Sequence, residues 1–183
     1  SHRDELLAGT TLGLFATKLT AANPASLRFI RHEREGGRDG SLSCSAVMFM
    51  AEDRVNRLYI CTEGSGLNMV EPGISLLSKD VDFRHFDRRD LPEDFLLSAF
   101  AYGQYMWFVG TNDLTGVDAE HGLSLYFNHR TWTDELIFSD AQPLRWKGGK
   151  WLMGLMDGLV LMDMDRLTKR TKAPRIVLTR VSV

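Results

Sequence analysis

The densest group of side chains able to do chemistry is Tyr-Phe-Asn-His-Arg-Thr-Trp, from Tyr126 to Trp132. Asn128, His129 and Arg130 carry donors and acceptors for hydroxyl or anionic groups, and Trp132 carries a flat apolar ring on which a sugar face can stack. These four are the predicted ligand-binding residues. A competing structural reading puts Tyr126 and Trp132 in a core and has the polar trio capping a turn. Elsewhere, His85 alternates with Phe83 and reads as strand surface, and His121-Gly122 reads as a turn. Trp107 and Trp151 lie in strongly apolar stretches and read as core. Met153, Met156, Met162 and Met164 alternate with Leu and Asp and read as packing.

Catalytic signatures are missing from the sequence. An enzyme needs an acid, base or nucleophile set against its partners, and no His-Glu-x-x-His, Gly-x-Ser-x-Gly, Walker loop or paired metal ligands occur. GTTLGLF from Gly9 and CTEGSGL from Cys61 look like phosphate loops, but neither carries the lysine or the following helix that such loops use. The segment is therefore expected to be non-enzymatic, with no cofactor and no metal. Cys44 and Cys61 are too few for a disulfide scaffold. A hairpin pairing 45–50 with 58–62 sets Cys61 opposite about position 47, with Cys44 about three residues further on, so two buried free thiols are expected.

The 183 residues have the length of one ordinary domain, and a formal net charge of -2 argues against nucleic acid as a partner. Arginine clusters at 28–38, 84–89 and 166–175 are interrupted by Glu33, Glu35, Asp87 and Asp90, as on solvated strand faces. No stretch approaches the roughly 20 apolar residues of a membrane helix, and the first residues lack a signal-peptide pattern.

Four segments share one plan: ELLAGTTLGLFATKL from Glu5, RLYICTEGSGLNMVEP from Arg57, YMWFVGTNDLTGVDAE from Tyr105 and KWLMGLMDGLVLMDMD from Lys150. Each has an apolar strand, a small residue often followed by Thr, a short turn and a second apolar strand. The small residues fall at 9, 61, 110 and 154, and a period of about 45–50 residues with several short strands per copy is that of a β-propeller blade. Inner strands read as continuous apolar runs because neighbouring blades cover both faces. Outer strands carry charge, as in DVDFRHFDRRD from Asp80, where Val81, Phe83 and His85 alternate with Asp80, Asp82 and Arg84. Asp90, Pro92, Glu93 and Asp94 would suit the start of a helix. The repeat nevertheless requires a strand before Tyr105, and a strand is expected there.

Leu91-Pro92, Met106 to Thr111, Leu114 and Val117-Asp118 resemble the repeat of the two-component regulator propeller family. Leu58 to Thr62 with Gly66-Leu67 and Glu71-Pro72, and Leu7 to Thr10 with Gly13-Leu14-Phe15, are similar to it again, with Cys61 in place of the usual Gly. Leu152-Met153-Gly154 with Gly158-Leu159 is a looser copy without the Thr. APRIVLTRVSV, from Ala173, resembles the passage of such propellers into an immunoglobulin-like domain. The expected fold is all-β, with about four four-stranded antiparallel blades over 1–172 in an incomplete ring, and a linker over 173–183.

The resemblance implies an extracytoplasmic, periplasmic sensor segment of a Bacteroidetes hybrid histidine kinase and response regulator. It would recognise oligosaccharides derived from complex glycans and signal across the membrane. Histidine kinase activity and the membrane connection would belong to a downstream part of a longer protein. This chain would be the C-terminal part of its propeller, and open strand edges would favour self-association. The alternatives are a scaffold for protein-protein contacts or dimerisation and, more remotely, a propeller lyase.

Overall fold

The computed structural model describes residues 4–19, 24–86, 91, 94–128, 130–132 and 135–169. Among them are four antiparallel sheets and one short α-helix. The first sheet holds β1 (Glu5–Thr10), β2 (Gly13–Lys18) and β3 (Ile30–His32). The second holds β4 (Val47–Glu52), β5 (Leu58–Thr62), β6 (Leu67–Val70) and β7 (Arg84–Phe86). The third holds β8 (Leu96–Tyr102), β9 (Tyr105–Gly110), β10 (Leu114–Asp118) and β11 (Leu123–Phe127). The fourth holds β12 (Leu144–Arg145), β13 (Lys150–Gly154) and β14 (Leu159–Asp163), followed by α1 (Met164–Thr168). In every sheet the strands pair in chain order, which is the meander of a propeller blade.

The recurrent sequence motif is a hairpin device. Gly9 pairs with Leu14, Cys61 with Leu67 and Gly154 with Leu159; in the third sheet Val109, one residue before Gly110, pairs with Leu114. Thr10 Oγ1 donates to the Gly13 carbonyl at 2.9 Å, and Thr62 Oγ1 donates to the Gly66 carbonyl at 2.9 Å. The repeated threonine thus fastens the turn that follows it, and the glycine loops are strand connections. The motif strand is second in the second, third and fourth sheets but first in the first sheet. Among the described residues, therefore, the first sheet lacks the counterpart of β4 and β8, and the fourth lacks the counterpart of β7 and β11.

Three cores join the sheets in sequence. Leu14 and Ala16 meet Val47, Leu58, Ile60 and Val70; Tyr59, Cys61, Leu67 and Met69 meet Ala99, Met106, Phe108 and Val117; Phe100, Trp107 and Val109 meet Trp151, Met153 and Met162. Strand β5 is buried along its whole length because Leu58 and Ile60 turn one way while Tyr59 and Cys61 turn the other. Strands β4 and β8 lie against each other as the innermost strands of their sheets. Lacking such a strand, the first sheet brings β1 against β4, so close that a Cβ at Gly9 would come within 2.6 Å of Val47 Cγ1.

The segment 96–102 is a strand, as the repeat requires; sheet pairing on both sides of β9 overrides the local helix preference. Four expectations need correction. Cys61 pairs with Phe49 and Val47 with Thr62, because an irregularity between Val47 and Phe49 inserts a residue; β8 carries its own at Leu96 to Ser98. Cys61 is buried as expected, whereas Cys44 is only half buried. On β7 the alternation fails after Arg84: His85 is exposed and Phe86 is buried. Met153, Met162 and Met164 are packed, but Met156 lies in a turn and is exposed. Trp107 and Trp151 are core residues. The segment 173–183, Asp90, Pro92, Glu93 and His129 lie outside the described residues.

Candidate ligand-binding cleft

Where the second and third sheets meet, their turns frame a cleft of about 190 Å³. Asp53, Arg54, Val55 and Arg57 enter from the β4–β5 turn, Gly103, Gln104 and Tyr105 from the β8–β9 turn, and Glu120 from the β10–β11 turn. Tyr59, Ala101, Met106 and Val117 form its floor. The turns are built for these positions. Asn56 has φ 64°, a left-handed conformation that Asn tolerates better than most residues. Gly103, with φ 66°, opens a two-residue hairpin between the paired residues Tyr102 and Tyr105. Beneath the cleft the Tyr59 and Phe108 rings meet edge to face at 5.6 Å, tying the two sheets together.

Two carboxylates organise the walls. Asp53 Oδ1 accepts the amides of Val55 and Arg57 at 3.0 and 2.9 Å, and its Oδ2 accepts Arg57 Nε at 2.6 Å and the Tyr59 hydroxyl at 3.4 Å. Asp118 Oδ1 accepts the amides of Glu120 and His121 at 3.1 and 3.2 Å, and its Oδ2 accepts Gln104 Nε2 at 2.9 Å and pairs with His121 Nδ1 at 2.8 Å. A carboxylate has about four acceptor positions, so each of these is filled. Neither can serve as a general base without dismantling its own turn.

Protonation follows from these contacts. Burial, with Asp53 alongside, raises Tyr59 far above the ordinary phenol range despite the opposing charge of Arg57, so it stays a neutral donor. Burial alone would lower Arg57, but the Asp53 hydrogen bond and charge outweigh it and raise it. For Asp118, burial opposes ionisation and is outweighed by the bonds from His121, which lower it; His121 is raised by the same bond. Within the lining, Arg54 and Arg57 balance Asp53 and Glu120. The cleft offers polar groups fixed in place and little net charge, a combination suited to an uncharged polyhydroxylated ligand. Its volume is below the roughly 300–1,000 Å³ of drug-sized pockets, which limits it to about one sugar ring. Among the described residues, no group of three or more His, Cys, Asp or Glu side chains could hold a metal ion.

Of the residues predicted from sequence, Asn128, Arg130 and Trp132 lie elsewhere, on the turn leaving β11, the outermost strand of the third sheet. Asn128 caps that turn: its carbonyl accepts Thr131 N at 2.7 Å and Trp132 N at 3.2 Å, and its Oδ1 accepts Arg130 N at 3.0 Å. Arg130 is exposed. Trp132 is half buried, with its ring 6.0 Å from that of Phe127 and nearly parallel to it. It also lines a second, more apolar groove of about 450 Å³ with Val160, Met162, Asp163 and Arg166. The cleft residues escaped the sequence reading because they come from three turns. The available signal was the acid opening two of those turns, Asp53-Arg-Val-Asn and Asp118-Ala-Glu-His, each placed to accept amides two and three or four residues ahead.

Neither a family model nor a curated protein matches the chain. Among solved structures, it is similar to the extracellular domain of a protein described as a hybrid two-component system from B. thetaiotaomicron, with a TM-score of 0.60 and 14% identity over 89% of this chain and 27% of that one. It is also similar to YCF48 from Cyanidioschyzon merolae, with a TM-score of 0.52 and 16% identity over 86% of this chain and 49% of that one. The chain thus spans about a quarter and about half of these two neighbours. No helix among the described residues is long and apolar enough to cross a membrane. The likeness and the sheet order together identify the fold: all-β, four antiparallel sheets arranged as propeller blades and not closed into a ring.

Proposed function

We propose that the chain is a non-catalytic, ligand-recognising segment of an extracytoplasmic sensor, and that it binds an uncharged oligosaccharide in the cleft between the second and third sheets. The observation that carries the sensor role is the fold likeness to an extracellular domain of a hybrid two-component system. The character of the cleft supports the ligand class, and the saturated Asp53 and Asp118 support binding over catalysis. A ligand seated there touches turns of two sheets at once, so it binds one inter-sheet arrangement better than another. Such a preference is what a sensor needs to convert binding into a signal. Transmission across the membrane and histidine kinase activity belong, in this reading, to other parts of the longer protein.

The test is a panel of linear neutral oligosaccharides screened by thermal shift and followed by calorimetry on the wild type, Gln104→Ala and Trp132→Ala. Binding that falls about three- to tenfold in Gln104→Ala, as loss of one lining hydrogen-bond partner predicts, and is unchanged in Trp132→Ala supports the cleft. Loss in Trp132→Ala alone would move the site to the turn after β11 and its groove. No binding across the panel would defeat the sensing role of this segment. A second reading, a surface for protein contacts, is favoured by the exposed Leu144, Leu159 and Leu161 of the fourth sheet.

A further inference from the structure

A second polar cavity, of about 400 Å³, lies between the connection from β3 to β4 and His85 of β7. The cleft described above opens at the turn that enters β5. This cavity is anchored nearer the other end of that strand, through Ser43, whose Oγ is 3.3 Å from Thr62 Oγ1. The two therefore share no residue, and this one falls within the roughly 300–1,000 Å³ of small-molecule sites.

Its wall is held in place before any ligand arrives. Two turns follow one another: Arg38 N donates to the Glu35 carbonyl at 3.3 Å and Ser41 N to the Arg38 carbonyl at 3.1 Å. The buried Ser41 accepts the Glu35 amide on its Oγ at 3.0 Å. Arg38 Nη2 donates to the Val81 carbonyl at 2.9 Å, and Nη1 to the Lys79 carbonyl at 3.3 Å. Behind the wall, the fully buried Asn68 of β6 accepts Ser43 N on Oδ1 and donates from Nδ2 to Ser43 Oγ, both at 2.9 Å. His85 Nε2 donates to the Ser41 carbonyl at 2.6 Å, which leaves its Nδ1 for a ligand. A wall already ordered lowers the cost of binding.

The charges in the lining point to the ligand. Arg38 is paired with Glu35 at 3.6 Å and with Asp82 at 3.3 Å. The Arg34 guanidinium and the Asp39 carboxylate, by contrast, have no hydrogen-bond or ion-pair partner among the described residues. An anion would be attracted by Arg34 and repelled by Asp39, and a cation the reverse; a ligand carrying both charges satisfies both. Apart from glycines and the buried Leu42, every lining residue is polar, so the rest of the ligand is polar as well. We propose that this cavity binds a zwitterion of the size of a small polar amino acid, with its carboxylate on Arg34 and its ammonium on Asp39. The planar guanidinium suits a carboxylate through two parallel bonds, and Ser43 and His85 supply partners for the polar remainder. The site stands apart from the oligosaccharide reading of the cleft and does not depend on it.

The experiment is calorimetric titration of the full chain with L-serine, L-asparagine and L-glutamine, each beside its N-acetyl and its carboxamide derivative. At least one free amino acid should bind, and both of its blocked forms, each lacking one charge, should bind at least about tenfold more weakly. Arg34→Gln and Asp39→Asn change exposed side chains, so the fold should survive, which circular dichroism melts verify. Each should weaken the free amino acid at least about tenfold. Arg34→Gln should also abolish the discrimination against the carboxamide, and Asp39→Asn that against the N-acetyl form. Gln104→Ala, in the cleft, should leave this binding unchanged. No binding by any of the three at about 10 mM, blocked forms that bind as well as the free ones, or binding that survives Arg34→Gln but is lost in Gln104→Ala would each overturn the proposal.

Discussion

Replacing Asp53 with alanine tests how the cleft is held together. The change removes four accepted hydrogen bonds: two turn amides, the Arg57 guanidinium at 2.6 Å and the Tyr59 hydroxyl at 3.4 Å. The Arg57 and Asp53 side chains are only 17% and 10% exposed, so water replaces the lost pairing poorly. A largely sheltered charged hydrogen bond contributes about 1.5–3 kcal/mol, and the turn amides add about 0.5–1.5 kcal/mol in the manner of a cap. Asp53→Ala should therefore cost about 2–4 kcal/mol, or about 4–16 °C in Tm for a domain of this size. Urea denaturation followed by tryptophan fluorescence measures this directly, since Trp107 and Trp151 are buried. Asp53→Asn keeps an acceptor for the amides but sets an amide nitrogen or a neutral oxygen against Arg57, so it should recover only the capping share. A double-mutant cycle with Arg57→Ala should give a coupling of about 1–2 kcal/mol. A loss below about 1 kcal/mol for Asp53→Ala, or no coupling to Arg57, would refute the account of the cleft wall.

Two further predictions concern titrating groups. Burial pushes the Cys61 thiol well above its ordinary range, so a thiol reagent should modify Cys44 in the native protein and reach Cys61 only after unfolding; rapid native labelling of both would contradict the packing between the second and third sheets. The His121 imidazole should titrate above 6.5 by NMR, and Asp118→Asn should return it towards that value. Because His121 is raised, its share of the pairing is present below pH 6.5 and is lost as pH rises through the folded value. Asp118 is lowered, so its share is present above pH 3.8 and is lost as pH falls through its own folded value. The turn should accordingly be firmest between those limits, and an unshifted His121 would sink the assignment.

What the sequence alone determined is the local hairpin plan. An apolar run, a small residue, a Thr and a glycine turn are contiguous, so their chemistry is legible: Thr10 and Thr62 bond carbonyls only three or four residues ahead. The same locality revealed the continuous apolar strands β5 and β9, whereas the strand at 96–102 was legible only from the repeat, against the local helix preference. Tertiary structure decided what depends on the joining of sheets about 45–50 residues apart in the chain. One inserted residue near Met48 changes which partner Cys61 meets, because side chains alternate with a period of two and a bulge resets that alternation. The cleft was hidden for the same reason, since Asp53, Gln104 and Glu120 come together only when two sheets pack. The open face of the fourth sheet was hidden as well. Its leucines look in sequence like those of any inner strand, and only the packing shows that nothing among the described residues covers them.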